Sequence, residues 1–306
     1  MSPILQAARK NVLKKKSAPF LFMSPTLLWI VIFIIYPLIF AVVMAFKRFK
    51  LQRGLGFLDM PWVGLDNFIT AVQDKFFISA LGVTGTMIIV GVTIEFLLGL
   101  LIAKLLSKED IRLEALWIVL IVSPLMLPLI ASGNLWRMLF DLRWGAVNAA
   151  IMWFGLDPIN FLGSKEWALF SVIVVDIWRW TPFVILTLLA GFRSVPTDPK
   201  ESAIVDGASN FQIFRHITLP MMRNQILVVL LIRSMDAVKT FDIVYALTFG
   251  GPGQSSTTTT FYIYRQAFTQ FKMGYGAALS WIVFILILII SITIIKILKP
   301  KEGGVL

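Results

Sequence analysis

Charge is scarce in this chain of 306 residues. Asp, Glu, Lys and Arg together make up 15% of it, against about 25% in an ordinary water-soluble domain. Too little polar surface remains to cover a globule of this size, which excludes a soluble enzyme and a disordered chain. Cysteine is missing altogether, so a disulfide scaffold and thiolate metal sites are excluded and the redox compartment cannot be read. A single histidine, His216, leaves almost nothing for imidazole ligation or acid–base chemistry. What fills the chain instead is apolar: 58% hydrophobic residues and a mean hydropathy of +0.84. The net charge is +11. On a soluble domain that excess would suggest nucleic acid, but on an apolar chain it reflects the basic loops that stay on the inner side of a membrane. The chain reads as an all-α polytopic membrane protein, surrounded by lipid and without a nucleic-acid partner.

About 20 apolar residues cross ~30 Å of hydrocarbon, and six stretches meet that need: 20–46, 76–103, 115–136, 167–192, 224–249 and 273–295. The first is too long for a removable signal peptide and lacks a small-residue cleavage site. Glu95 alone interrupts the second. Pro124 and Pro128 should kink the third, and the fourth carries Asp176 and Arg179. Six spans put both termini on one side. Lys and Arg number fifteen on that side, led by Arg9, Lys10, Lys14, Lys15 and Lys16, with Lys299 and Lys301 near the C-terminus. They number ten on the other, where Lys47, Arg48, Lys50 and Arg53 follow the first span. The bias predicts cytoplasmic termini. The chain thus divides into a basic tail (1–19), a membrane domain (20–298) and a short C-terminal tail (299–306). The four threonines at 257–260 read as a solvated outer loop.

Residues 193–223, between spans four and five, are far longer than a turn requires. Pro196 and Pro199 bracket a helix start with Asp198 as its N-cap. The pattern predicts a short helix over 201–205, a turn at Asp206-Gly207, and a second helix over 208–217 stopped before Pro220. A positive φ at Gly207 would fold the two helices together, and the small Ala203 and Ala208 would let another surface approach. An interfacial segment without a partner is the competing reading.

Glu201-Ser202-Ala203, two residues, then Asp206-Gly207-Ala208, followed by Phe214, Leu219 and Pro220, closely resembles the EAA loop of binding-protein-dependent ABC importer permeases. Ser202 stands where that family usually has Ala. Phe241-Asp242, Tyr245, Leu247-Thr248, Gly250-Gly251-Pro252, Ser256-Thr257-Thr258 and Tyr264 resemble the fifth-span exit of its carbohydrate branch, as do Gly191-Phe192 and the stretch 178–183. The resemblance covers residues 20–298 and implies a six-helix MetI-like permease fold in the plasma (inner) membrane. It further implies a heterodimeric permease pair, two copies of a cytoplasmic ATPase, an extracytoplasmic solute-binding protein and a sugar-type solute such as an oligosaccharide or polyol. Glu201 would pair with a basic group of the ATPase. No Gly-x-x-x-x-Gly-Lys-Ser/Thr occurs in the chain, and Gly250-Gly251-Pro252-Gly253 lacks the lysine, so ATP and Mg belong to the partner ATPase.

Arg233, Asp236, Lys239 and Asp242 alternate in sign at i, i+3 spacing, so the set can largely neutralise itself within its own helix. Such residues should face the bundle or a wet cavity, and a salt-bridge network between helices is the other reading. Asp242 and Tyr245 are candidates for a polar solute path. Trp178, Trp180 and Trp136 could stack on sugar rings, and Asn134 could hydrogen-bond hydroxyls; packing between helices competes in each case. Trp62, Trp144, Trp153 and Trp167 read as interfacial anchors. His216 reads as a solvent or partner contact. A secondary transporter or channel coupled through the fifth-helix charges is the alternative class, but it leaves the structured loop unexplained. A membrane enzyme lacks a loop rich in carboxylates or histidines; no catalytic or metal-ligating residue is expected.

Overall fold

The computed structural model describes residues 22–50, 59–108 and 112–298. The tails at 1–19 and 299–306, with their basic residues, and Arg53 lie outside those residues. Among the described residues the chain is helical, with one isolated antiparallel bridge between Lys47 and Trp62. A helix closes its own backbone hydrogen bonds, which is what an apolar stretch needs where no water is at hand.

Four helices are individually long and apolar enough to cross a membrane: α1 (Phe22–Ala45), α3 (Lys75–Leu106), α7 (Lys165–Ser194) and α13 (Met273–Leu298). The two other predicted spans are bent. The third divides into α4 (Glu114–Met126) and α5 (Leu129–Leu139), set at 98° to each other, and the short α6 (Ala146–Trp153) follows. Pro124 sits in the last turn of α4 and Pro128 directly precedes α5, so the two prolines break the span rather than merely kink it. The fifth begins as α10 (Arg223–Val238), set at 68° to α9 (Asn210–Met221), the last helix of the 193–223 segment before it. Counting each bent pair as one span gives the six of the sequence reading.

The fifth predicted span does not run unbroken to 249. The helix ends at Val238, and α11 (Asp242–Leu247) starts afresh after Phe241. Breaking a helix frees carbonyls that need donors, and the threonine run supplies them. Thr258 Oγ1 donates to the Thr240 carbonyl at 2.8 Å, and Thr260 Oγ1 to that of Val238 at 3.0 Å. Thr257 Oγ1 reaches the Gly250 carbonyl at 2.8 Å. The backbone N–H of Thr259 donates to Thr84 Oγ1 at 2.9 Å. The expectation of a solvated loop at 257–260 is therefore wrong: Thr257, Thr258 and Thr259 are wholly buried, because their hydroxyls tie α12 (Thr259–Tyr264) to the broken helix and to α3.

The core lies between α3, α7 and α10, where Leu188, Leu189, Phe192 and Val229 pack with Ala103 and Leu106. A second cluster joins Val172, Val175, Ile243, Leu247 and Phe261. α11 rides on α5 so closely that a Cβ on Gly133 would come within 2.6 Å of the Ala246 Cβ. The most apolar stretch of α1, by contrast, is not buried against its own chain at all.

At one end of the bundle, the short α2 (Asp66–Gln73) covers the start of α3. Asp74 caps α3 by accepting from the N–H of Phe76 and Phe77, and its other oxygen accepts the hydroxyls of Tyr262 (2.5 Å) and Tyr275 (2.7 Å).

Candidate functional sites

The segment between α7 and α10 folds as two short helices. Thr197 is the N-cap of α8 (Asp198–Val205), so Asp198 is the first helical residue instead; the Thr197 side chain makes no capping bond. With Asp198 and Glu201 in the first turn, two carboxylates lie where the helix dipole favours negative charge. α8 ends at Asp206, and Gly207 takes φ +81°. From there the Gly207 N–H reaches the Ile204 carbonyl and the Ala208 N–H that of Ala203, at 3.0 and 2.9 Å, the paired bonds of a left-handed helix stop. Ser209 then caps α9 reciprocally with Gln212. The second helix starts two residues later than expected and continues past Pro220 to Met221. Pro220 enters without breaking it because a wide turn over residues 214–218 precedes it, and Pro220 sits at the start of the next turn, where its missing N–H costs little. Phe214 docks the loop on the bundle: its ring stacks 6.4 Å from Phe192, with Lys104 Nζ 4.0 Å above it.

Glu201, Asp206, Gly207 and Pro220 are exposed, while Ala203, Ala208, Phe214 and Leu219 are half-buried. Val205 is 87% exposed, and Ile204 and Phe211 also lie open. Sequence reading singled out none of these three, although their place on the motif's two helices was the available signal. Three large apolar side chains bared on one polar loop are an unmet packing surface. His216 is exposed, with Nδ1 3.1 Å from the Gln212 carbonyl.

The second site is at the heart of the bundle. Arg233 of α10 holds Glu95 of α3 through Nε (2.6 Å) and Nη2 (2.8 Å), and Asp176 of α7 through Nη2 (2.9 Å). All three side chains are essentially inaccessible. The expected neutralisation within the fifth helix therefore fails for Arg233, whose partners come from two other helices. It holds for Lys239 and Asp236, 2.8 Å apart. Nor does Arg179 pair with its neighbour Asp176. Its Nη2 donates to the carbonyls of Leu125 and Leu127, at the break between α4 and α5. Trp180 lies 4.7 Å from the Arg233 guanidinium.

Beside this triad is a cavity of about 260 Å³ lined by Asp176, Trp180, Asp236, Lys239, Phe241 and Asp242, among others. Asp242 thus joins the polar centre. Tyr245, 37% exposed, belongs instead to an aromatic group, with Phe241 at 5.5 Å, Phe249 at 5.2 Å and Tyr264 at 6.1 Å. Trp136 and Trp178 meet edge to face at 5.5 Å. Asn134 is exposed on α5, and no contact brings it to the others. Trp62, Trp144 and Trp153 are well exposed and Trp167 partly so. Among the described residues no group of His, Asp and Glu could hold a metal ion.

Residues 95–302 match the family model described as "binding-protein-dependent transport system inner membrane component". The trehalose/maltose transport system permease protein MalF of Thermococcus litoralis is 34% identical over 91% of this chain and 92% of its own length. The fold matches a chain from the crystal structure of a bacterial ABC transporter that imports the acidic polysaccharide alginate, with a TM-score of 0.82, 26% identity, and coverage of 96% of this chain and 100% of that one. It likewise matches a chain of the bacterial alginate transporter in complex with its pentasaccharide-bound periplasmic protein, at TM-score 0.79 and 25% identity over 94% and 96% of the two chains.

Proposed function

The chain belongs to the family of binding-protein-dependent transport system inner membrane components, and from that membership we propose that it is one permease of a heterodimeric pair driven by two copies of a cytoplasmic ATPase. It is a permease component of a sugar importer, a transport subunit rather than an enzyme. ATP and Mg are bound on the partner ATPase, the solute arrives on an extracytoplasmic binding protein, and the loop and both termini face the cytoplasm. An oligosaccharide or related polyol is the solute class that the relatives favour, since their names refer to trehalose, maltose and alginate.

One observation carries the coupling assignment. α8 and α9 form a stiff helix–turn–helix that bares Glu201, Ile204, Val205 and Phe211 and is anchored to the bundle through Phe214 and Phe192. An ATPase cleft that closes on such a knob moves the membrane helices with it. An interfacial charge pair at Glu201 is worth about 2–5 kcal/mol on truncation. Glu201→Lys and Gly207→Val should each leave the permease inserted but abolish binding-protein-stimulated ATP hydrolysis in reconstituted complexes, while His216→Ala stays near normal. Normal stimulation in both loop variants would sink the assignment.

For the solute path, Asp242 and Tyr245 remain the leading pair, with Trp178, Trp136 and Asn134 behind them. Asp242 opens on the central cavity, and Tyr245 presents an aromatic face such as pyranose rings stack on. Tyr245→Ala should raise the half-saturation concentration for uptake; unchanged kinetics across several sugars returns it to packing. Coupling through the fifth-helix charges has less support, because Arg233 is already held by two carboxylates.

A further inference from the structure

A cavity of about 570 Å³ opens at the end of the bundle that carries the Asp74 cap. It lies away from both sites above. Its wall is built by the chain leaving α1, by α2 and the start of α3, and by the approach to α13. Three of its lining residues are cationic: Arg48, Lys50 and Lys272. Arg48 has only a loose partner, Asp66 at 3.8 Å, with both side chains well exposed, and such a pair yields readily to a better anion. Lys50 and Lys272 form no ion pair among the described residues.

The one carboxylate in the wall, Asp74, is already saturated. It accepts from two tyrosine hydroxyls and two backbone N–H groups, so its lone pairs are taken, and its single negative charge stands against three cations in the wall. Those tyrosine oxygens, having donated their hydrogens to Asp74, can themselves only accept. Gln266 adds a further acceptor. It lines the same cavity, is only 6% exposed, and its Oε1 has no hydrogen-bond partner. A buried amide oxygen without a donor costs stability, so the cavity has a place for a hydroxyl as well as for an anion.

We propose that this cavity binds a phosphate group whose substituent carries free hydroxyls, that is, a glycerophosphate. The phosphate meets Arg48, Lys50 and Lys272, and the hydroxyls reach Gln266 Oε1 and the tyrosine oxygens. The same chemistry is offered by the headgroup of phosphatidylglycerol and by soluble glycerol phosphate, and two arms of one experiment separate them. In the first, the intact chain with its native partners is extracted from vesicles of mixed phosphatidylglycerol, phosphatidic acid and phosphatidylcholine, and retained lipid is read by native mass spectrometry. In the second, thermal shifts are read with glycerol phosphate against inorganic phosphate. Preferential retention of phosphatidylglycerol assigns the lipid source, and a shift with glycerol phosphate alone assigns the soluble one. In either case Lys50→Ala and Lys272→Ala should weaken binding about fivefold each. Gln266→Leu should erase the preference for the hydroxylated ligand while leaving retention of phosphatidic acid or the response to inorganic phosphate unchanged. Because the two lysines are exposed, their variants test the site even if Gln266→Leu fails to fold. No preference in either arm, or binding that survives undiminished in the double lysine variant, overturns the proposal.

Discussion

The α8–α9 loop and the Arg233 triad are the two most polar constructions in this chain, and they are built by opposite means. The loop is local: every hydrogen bond that shapes its turn joins residues within five positions of each other. Glu201, Ile204, Val205 and Phe211 are left open on it. The triad is assembled from three helices, across 138 and 57 residues of chain, and its three side chains are hidden from bulk solvent. An exposed carboxylate such as Glu201 is cheap to keep and available to a partner. A sealed one such as Glu95 is tolerable only because its counter-charge is sealed with it. On the proposed function, exposure marks the region offered to another protein, and closure marks the region that holds this one together.

The sharpest way to break that comparison is to remove the shared cation. Arg233→Leu strands two carboxylates and should cost about 3–5 kcal/mol, read as loss of folded protein in detergent unfolding curves. Adding Glu95→Gln and Asp176→Leu should recover most of it, since an uncharged centre has no stranded charge. If Arg233→Leu alone unfolds like the parent, the triad is not a clamp. A smaller loss is expected for Thr258→Val, which leaves the buried Thr240 carbonyl without its donor and should cost about 1–3 kcal/mol; Thr258→Ser, keeping the hydroxyl, should recover the bond.

The smallest effect concerns acid. Burial alone would lift the Asp74 carboxyl, but Tyr262, Tyr275 and the Phe76 and Phe77 amides outweigh it and hold its pKa below the ordinary value. A carboxyl depressed in the folded state contributes stability above its unfolded pKa, near 3.9, and loses it as pH falls through the lower folded value. Asp74→Asn should flatten that acid limb of the unfolding curve; an unaltered limb would show that other carboxylates set it.

The legible parts of the molecule were those with local causes. Apolar length marked the spans, because crossing hydrocarbon is a property of one segment. The Glu201–Gly207–Pro220 spacing marked the loop, because a left-handed stop at Gly207 is decided by its own backbone. What failed depended on distant partners. Arg233 has acidic neighbours in sequence, yet Glu95 and Asp176 take it, since α3 and α7 bring their carboxylates to the same depth. The threonine run looked soluble because nothing beside it says that a helix breaks at Val238 and leaves carbonyls to be met. Gln266 and the two tyrosines on Asp74 escaped notice for the same reason: their cavity exists only when four separate stretches meet.

The two breaks have one further consequence. α5 begins after one of them and α11 after the other, and Gly133 lets the two lie in contact along Ala246. Neither helix can swing about its own pivot while the other stays still, because no slack separates them. They form one lever hung from two pivots, and Arg179, gripping the carbonyls of Leu125 and Leu127 beside the first, sits at its fulcrum. A push reaching either span is geared to both.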